Sequence, residues 1–200
     1  MIQGFGSVGK HAARFLAEKG AVLIAASETR GTIVDERGLD LVALIALKAE
    51  GRALHDYPRG RKLAADAVID IPCEIWIPAA RPDVIHAGNV ARLQTRLVAE
   101  GANIPLTVEA EQALAVRGVL VLPDFIANAG GVICPAVEYR GGIETSALAL
   151  IDEKIRTNTK AVLDEVERTG ALPRAAALSL ATGWVRRAMR TRRWDEGGIN

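Results

Sequence analysis

Gly4-Phe5-Gly6-Ser7-Val8-Gly9 stands almost at the start of a 200-residue chain and has the spacing G-x-G-x-x-G. The apolar pair Met1-Ile2 precedes it. An amphipathic run follows, in which Ala12, Ala13, Phe15 and Leu16 fall on one helical face. Strand, glycine turn and helix form the context in which this spacing seats a dinucleotide. Gly4 permits the tight turn, Gly6 lets a pyrophosphate approach the backbone, and Gly9 lets the helix pack closely on the strand. The pyrophosphate would face free N–H groups and the positive end of the helix dipole. Gly20 reads as the helix stop. Ala21 to Ala26 then reads as a buried strand, with Glu28 and Thr29 at its end. An acidic residue about 20 positions past the glycines holds the ribose hydroxyls of such a ligand, and Glu28 occupies that place.

Composition narrows the alternatives. Half of the residues are hydrophobic, enough for a sizeable core, and the formal net charge is +1, which argues against a protein built mainly to bind nucleic acid. Two cysteines, Cys73 and Cys134, are too few for a disulfide framework or a cysteine-rich metal site. His11, His55 and His86 are scattered without metal-ligand spacing. No apolar run reaches the length that spans a bilayer, and the first residues lack the order of a signal peptide. These features predict a soluble, cytoplasmic protein. Only Met1, Ile2 and Gln3 precede Gly4, where a strand usually has about 5–6 residues, so the first strand is expected to be cut short.

Strand and helix patterns alternate along the chain. Leu39 to Ala49 reads as a mostly buried helix closed by Gly51, residues 52–66 as a loop, and Glu74 to Ile77 as a strand ending in Pro78-Ala79-Ala80. A short helix is predicted from His86 to Leu93. A strand over Arg96 to Ala99 ends in Glu100-Gly101-Ala102-Asn103, Thr107 is placed to cap a helix, and Val119 to Leu122 is a further strand. Such alternation predicts a Rossmann-like, doubly wound, mostly parallel sheet with helices on both faces. Ligands in these sheets lie beyond the carboxyl ends of the strands. The division expected is a dinucleotide-binding unit over residues 1–143 and a helical tail over 144–200 that packs on it. One long helix is predicted to run from residue 144 to the stop at Gly170, with Leu148, Ile151, Ile155, Val162 and Val166 on one face. A second starts near Pro173 and carries Leu180, Trp184, Val185 and Met189 on one side.

Four stretches at these strand ends resemble one family, the glutamate/leucine/phenylalanine/valine dehydrogenases, and among its members the glutamate enzymes most. They are Gln3-Gly4-Phe5-Gly6-Ser7-Val8-Gly9, Ile77-Pro78-Ala79-Ala80, Ala99-Glu100-Gly101-Ala102-Asn103, and Pro123-Asp124-Phe125 through Asn128-Ala129-Gly130-Gly131-Val132. The resemblance implies NAD, with NADP possible, as the cofactor. It implies that Gly4 to Gly9 seat the pyrophosphate and that Glu28 holds the adenosine ribose. Ala79 and Ala80 would line the groove, Asn103 would bind the nicotinamide end, and Asn128 would sit by its ribose. An amide side chain offers the donor and the acceptor that a carboxamide needs. The reaction implied is oxidative deamination of an L-amino acid, glutamate first, to a 2-oxo acid and ammonia. The nicotinamide supplies the redox chemistry and the protein orients it and moves protons.

In this family the proton-moving lysine and aspartate belong to a separate amino-terminal substrate domain. None of Lys10, Lys19, Lys48, Lys62, Lys154 and Lys160 lies in the required glycine-rich segment, so no catalytic residue is assigned here. The expected partners are the dinucleotide, a substrate domain or second chain that supplies catalysis, and further copies of the chain. Where glutamate-specific members carry a substrate-binding serine, this sequence has Pro135. Glu28 favours NAD, whereas Arg30 offers a cation to a 2′-phosphate. One alternative is a non-catalytic or vestigial dinucleotide-binding module. Another is nucleic-acid binding through Arg186, Arg187, Arg190, Arg192 and Arg193, but no RNA- or DNA-binding motif accompanies them and arginines suit the negative end of a helix, so neither nucleic acid nor membrane is expected as a partner.

Overall fold

The computed structural model describes residues 1–190. Seven strands form one sheet in the order β4-β3-β2-β1-β5-β6-β7. They are β1 (Ile2–Gln3), β2 (Ala25–Glu28), β3 (Gly31–Val34), β4 (Arg61–Leu63), β5 (Ile75–Pro78), β6 (Leu97–Ala99) and β7 (Leu120–Leu122). β1 is central although it has two residues. It pairs in parallel with β2 and β5, and the Met1 amine extends the ladder by donating to the Ile75 carbonyl at 2.8 Å. β5, β6 and β7 continue in parallel, while β3 and β4 add an antiparallel meander at the other edge.

Successive side chains of a strand point to opposite faces, and the two cores divide accordingly. Met1, Ala25, Val34 and Trp76 enter one core; their neighbours Ile2, Ala26, Ile33 and Ile77 enter the other. The first core is closed by the 3₁₀ turns Ala65–Asp70 and Val90–Arg92 and by α3 (Val108–Val116), which contributes Ala110 and Leu114. The second is closed by α1 (Ser7–Glu18) and α2 (Leu41–Ala49), through Ala13, Leu44 and Leu47. Helices thus cover both faces of a mostly parallel sheet. The Thr107 hydroxyl caps α3, accepting from Ala110 N–H at 3.3 Å.

Three segments differ from the sequence reading by more than a residue or two. Strand β2 begins at Ala25, not Ala21. Gly20 turns in the left-handed region, the Ala21 amide still donates to Leu16 of α1, and Ala21 and Val22 remain exposed. Glu28 is therefore the last residue of the strand rather than a loop residue beyond it. Residues 52–66 hold a 3₁₀ turn (Leu54–Asp56) and strand β4, which Gly60 (φ +78°) brings back against β3. The helix predicted from His86 shrinks to one 3₁₀ turn, because the Asn89 side chain accepts from the His86 amide and donates to the Val84 carbonyl, holding a turn instead.

Beyond β7 come α4 (Asp124–Ala127), α5 (Gly130–Tyr139), α6 (Glu144–Thr169) and α7 (Pro173–Arg190). Gly170 ends α6 in the left-handed conformation (φ 70°). Val162 and Val166 of α6 pack with Ile126 of α4 and with Ala176, Ala177 and Leu180 of α7. Leu148, Trp184, Val185 and Met189, expected on packed faces, are exposed. No helix among the described residues is long and apolar enough to cross a membrane. Arg192 and Arg193 of the basic tail lie outside the described residues.

Candidate functional site

The glycine turn is pinned by one acceptor. Gly4 and Phe5 amides both donate to the Ser27 carbonyl at 3.0 Å, and Phe5 is buried beneath the turn. Gly4 has φ +94°, and a Cβ there would fall 2.8 Å from both Cβ and N of Ala80. The first glycine and the Ala79-Ala80 strand end thus require each other. A Cβ on Gly9 would lie 2.0 Å from the Gly4 carbonyl oxygen, whereas one on Gly6 would meet nothing within 4 Å. Gly6 is the residue preceding α1, and the first bond into that helix runs from Lys10 N–H to Gly6 O at 3.0 Å. The N–H groups of Ser7, Val8 and Gly9 have no acceptor among the described residues. Unpaired N–H groups at a helix N-terminus suit an anion.

A cleft of about 970 Å³ opens beside this turn. Gly4, Phe5, Gly6, Glu28, Thr29, Ala79 and Ala80 all line it, joined by Lys48. Glu28 is held at its floor: Oε2 accepts from Lys48 Nζ at 2.6 Å and Oε1 from Leu54 N–H at 2.8 Å. The cation beside Glu28 is therefore Lys48 of α2, not Arg30. A carboxylate has about four acceptor positions, so two bonds leave Glu28 able to receive hydroxyl donors.

Asn103 and Asn128 face a second cleft of about 540 Å³, with Phe125, Val132 and Lys154. Although 25 residues apart, they touch: Asn128 Nδ2 donates to Asn103 Oδ1 at 2.8 Å. Gly101 sits where three elements converge. A Cβ there would approach the Pro78 carbonyl oxygen and a Val8 methyl at 3.3 Å, and Ala79 Cβ at 3.4 Å. The glycine turn, the β5 end and the β6 end therefore meet at one point. Pro135 lies within α5, where a proline side chain offers no donor.

Behind the asparagines is a buried charge cluster that sequence reasoning missed. Arg174, at the start of α7, donates to Glu111 Oε1 (2.6 Å), Glu100 Oε2 (2.7 Å) and Asp124 Oδ1 (3.0 Å). Glu100 is fully buried, and its other oxygen has no partner among the described residues. Burial pushes its carboxyl up to about 7, against the pull of Arg174 and of the Asp124 amide. Burial also acts to raise Asp124, but the Ile104 amide, the Arg174 guanidinium and the Phe125 amide outweigh it and hold that carboxyl below its ordinary value. The desolvation of Arg174 is likewise outweighed by its three carboxylates, and its pKa is raised. The signal available in the sequence was a surplus of acids: Glu100, Glu111 and Asp124 sit at strand ends or on a packed helix, and buried carboxylates require a cation. No group of three or more His, Cys, Asp or Glu side chains suited to a metal occurs among the described residues.

The chain matches the family model for Glutamate/Leucine/Phenylalanine/Valine dehydrogenase over residues 1–193. It belongs to this family. The glutamate dehydrogenase of Aeropyrum pernix is 39% identical over 204 aligned residues, covering 96% of this chain and 49% of the relative. The NADP-specific glutamate dehydrogenase of Saccharolobus shibatae is 36% identical, covering 96% and 47%. The solved structure of hetero-hexameric glutamate dehydrogenase from Thermus thermophilus, in its leucine-bound form, superimposes over the whole chain with a TM-score of 0.82 at 27% identity. The match covers 47% of that chain. L-Tryptophan dehydrogenase from Nostoc punctiforme gives 0.73 at 25% identity, over 95% of this chain and 53% of that one. The chain thus spans about half the length of the relatives it matches.

Proposed function

We propose that this chain binds a nicotinamide dinucleotide for the oxidative deamination of an L-amino acid, with glutamate as the first candidate substrate. The observation that carries this reading is the meeting of three strand ends: Gly4, Phe5 and Gly6 line the Glu28 cleft, Gly4 packs on Ala80, and Gly101, beside the Asn103 turn, packs on Val8, Pro78 and Ala79. In this reading the pyrophosphate takes the amides of α1 and the positive end of its dipole. The adenosine ribose hydroxyls donate to the free acceptor positions of Glu28, beside Thr29. The adenosine end lies against Ala79 and Ala80, where no long side chain fills the space. Asn103 and Asn128 hold the carboxamide and ribose of the nicotinamide, which fixes the face presented to substrate.

The dinucleotide supplies hydride transfer when bound, and this chain's share is binding and orientation. Of the three charged side chains that line the asparagine cleft, Asp124 is paired with Arg174 and Lys154 with Glu153, and the third, Arg140, is an arginine, a residue type that does not give up its proton. We therefore assign the proton transfers of deamination to residues outside this chain, in a substrate domain or a second chain, and expect the chain alone not to turn over. NAD is the preferred cofactor, since Glu28 repels a 2′-phosphate; Lys48 at 2.6 Å partly offsets that repulsion and leaves NADP weaker rather than excluded. Titration of the chain with NADH and NADPH, followed by fluorescence, tests this. Saturable binding with NADH the tighter is expected, and binding of neither by the folded chain refutes the reading.

A further inference from the structure

Asn103 and Asn128 need something to hold them, and their own elements supply little of it. Asn103 is exposed at the tip of the β6 loop, and the next residue, Ile104, has φ +49°. A β-branched side chain in the left-handed region is strained and persists only where its surroundings hold it. Two contacts hold it: the Ile104 amide donates to Asp124 Oδ2 at 2.9 Å, and the Ile104 carbonyl accepts from Asp83 N–H at 3.0 Å. Asp124 also accepts the Asn128 amide at its carbonyl, at 2.7 Å. The Asn128 bond is the last helical bond of α4, so Asp124 links the Asn103 turn, through its side chain, to the helical turn that ends at Asn128.

Asp124 is in turn fixed from two sides. Its amide donates to Glu100 Oε2 at 2.8 Å, and its Oδ1 accepts from Arg174. The same Glu100 oxygen accepts from Arg174, and Glu100 begins the Gly101–Asn103 turn. The Arg174 guanidinium also lies 5.7 Å from the Phe125 ring. A planar fork with several fixed donors can meet three carboxylates at once, and in this cluster it is the only cation among the described residues that donates to them.

We propose that Arg174 is a positioning residue for the nicotinamide end of the site, holding Asn103 and Asn128 in binding register through Asp124 and Glu100. It lines neither cleft itself and lies behind Asp124 and Phe125, which line the second, so it acts through other residues. The effect is directional: it should reach the nicotinamide half of the dinucleotide and leave the adenosine half, which rests on the glycine turn and Glu28, unaffected. This rests on the cofactor reading given above.

The test compares two probes on the full chain by calorimetry: NADH, which spans both clefts, and ADP, which reaches only the glycine-turn end. In Arg174→Met, NADH binding should weaken on the order of tenfold, while ADP binding changes by less than about twofold. Because Met leaves three carboxylates without a cation, Arg174→Lys provides a variant that keeps the charge and the fold. It should show the same NADH-selective loss, smaller than that of Met, since an ammonium cannot match the fork. Equal weakening of both probes would mean that Arg174 supports the fold only, and would overturn the inference. Unchanged NADH binding in folded Arg174→Lys and Arg174→Met would also overturn it, with the cofactor reading intact. If the unaltered chain binds neither probe, the cofactor reading fails and this inference with it.

Discussion

Gly6 and Gly9 differ sharply in what a side chain would meet, and that difference separates folding from binding within a six-residue motif. At Gly9 a Cβ would stand 2.0 Å from the Gly4 carbonyl oxygen and 2.9 Å from Ile2 Cγ2. Favourable non-bonded contact needs about 3.5 Å, so the helix must move more than about 1 Å off the central strand. Overpacking of this kind costs about 1–3 kcal/mol even against side chains. Against backbone we expect about 3 kcal/mol or more for Gly9→Ala, a fall in Tm of roughly 6–12 °C for a chain of this size. At Gly6 a Cβ meets nothing, and the backbone (φ −82°, ψ −155°) suits any residue. Gly6→Val should lose only the N-terminal preference for glycine, about 1 kcal/mol, or roughly 2–4 °C. Its branched side chain would nonetheless stand where the pyrophosphate meets the α1 amides. Losing that approach should weaken NADH by roughly 100-fold, about 2.7 kcal/mol. Thermal melts with NADH fluorescence titration measure both effects. A folded Gly6→Val chain with unaltered NADH affinity would refute the site, and a Gly9→Ala chain as stable as Gly6→Val would refute the packing.

Lys48→Met removes the cation from Glu28, so NADPH should weaken relative to NADH by about tenfold; an unchanged ratio in paired titrations would show that Lys48 does not face the 2′ position. Leu114 is fully buried between α3 and the sheet, and Leu114→Ala should cost about 2–5 kcal/mol in a denaturant titration, with no selectivity between cofactors in what remains folded. Stability should also fall as pH rises from 4.5 to about 7. Glu100 titrates at about 7 in the fold and near 4.5 when unfolded, so its contribution is complete below 4.5 and lost by about pH 7, at most about 3 kcal/mol. Asp124, whose carboxyl is held low, acts oppositely: its contribution is present above its ordinary value of 3.8 and is lost as pH falls through the depressed one. Melting curves between pH 4.5 and 8 should lose the Glu100 slope in Glu100→Gln; the same slope in that variant would assign it to another group.

What was legible in the sequence was what is written locally. The glycine turn, the Thr107 cap, the Gly170 stop and the alternation of strands and helices each depend on residues within a few positions of one another. Their periodicity or backbone requirement survives in the sequence without the fold. The misplaced boundaries have different physical causes. Ala21-Val22-Leu23-Ile24 has the composition of a buried strand, but the Ala21 amide stays with Leu16 of α1, and the Leu23 carbonyl accepts from Leu39 in the loop before α2. Arg61–Leu63 looks polar and loop-like because it is an edge strand, and edge strands are charged to discourage further pairing. Trp184, Val185 and Met189 have the spacing of a packed face, yet they remain exposed, and periodicity alone cannot say what an apolar face packs against.

The two ends of the candidate site therefore rest on different kinds of order. At the adenosine end the geometry is set by backbone: two glycines tolerate no side chain, a third has room for one, and one carbonyl, that of Ser27, pins the turn. Such a site is encoded in adjacent letters and should tolerate change elsewhere in the chain. At the nicotinamide end the asparagines are set by a guanidinium that lies 71 residues from Asn103 and 46 from Asn128 in sequence. It works through carboxylates on three separate elements. Buried charge is costly unless every partner is present, so this end is the more sensitive to distant substitution. A change in α7 that displaces Arg174 should reach the cofactor through Asp124, which lines the second cleft, and Ile104, with no residue of either cleft substituted.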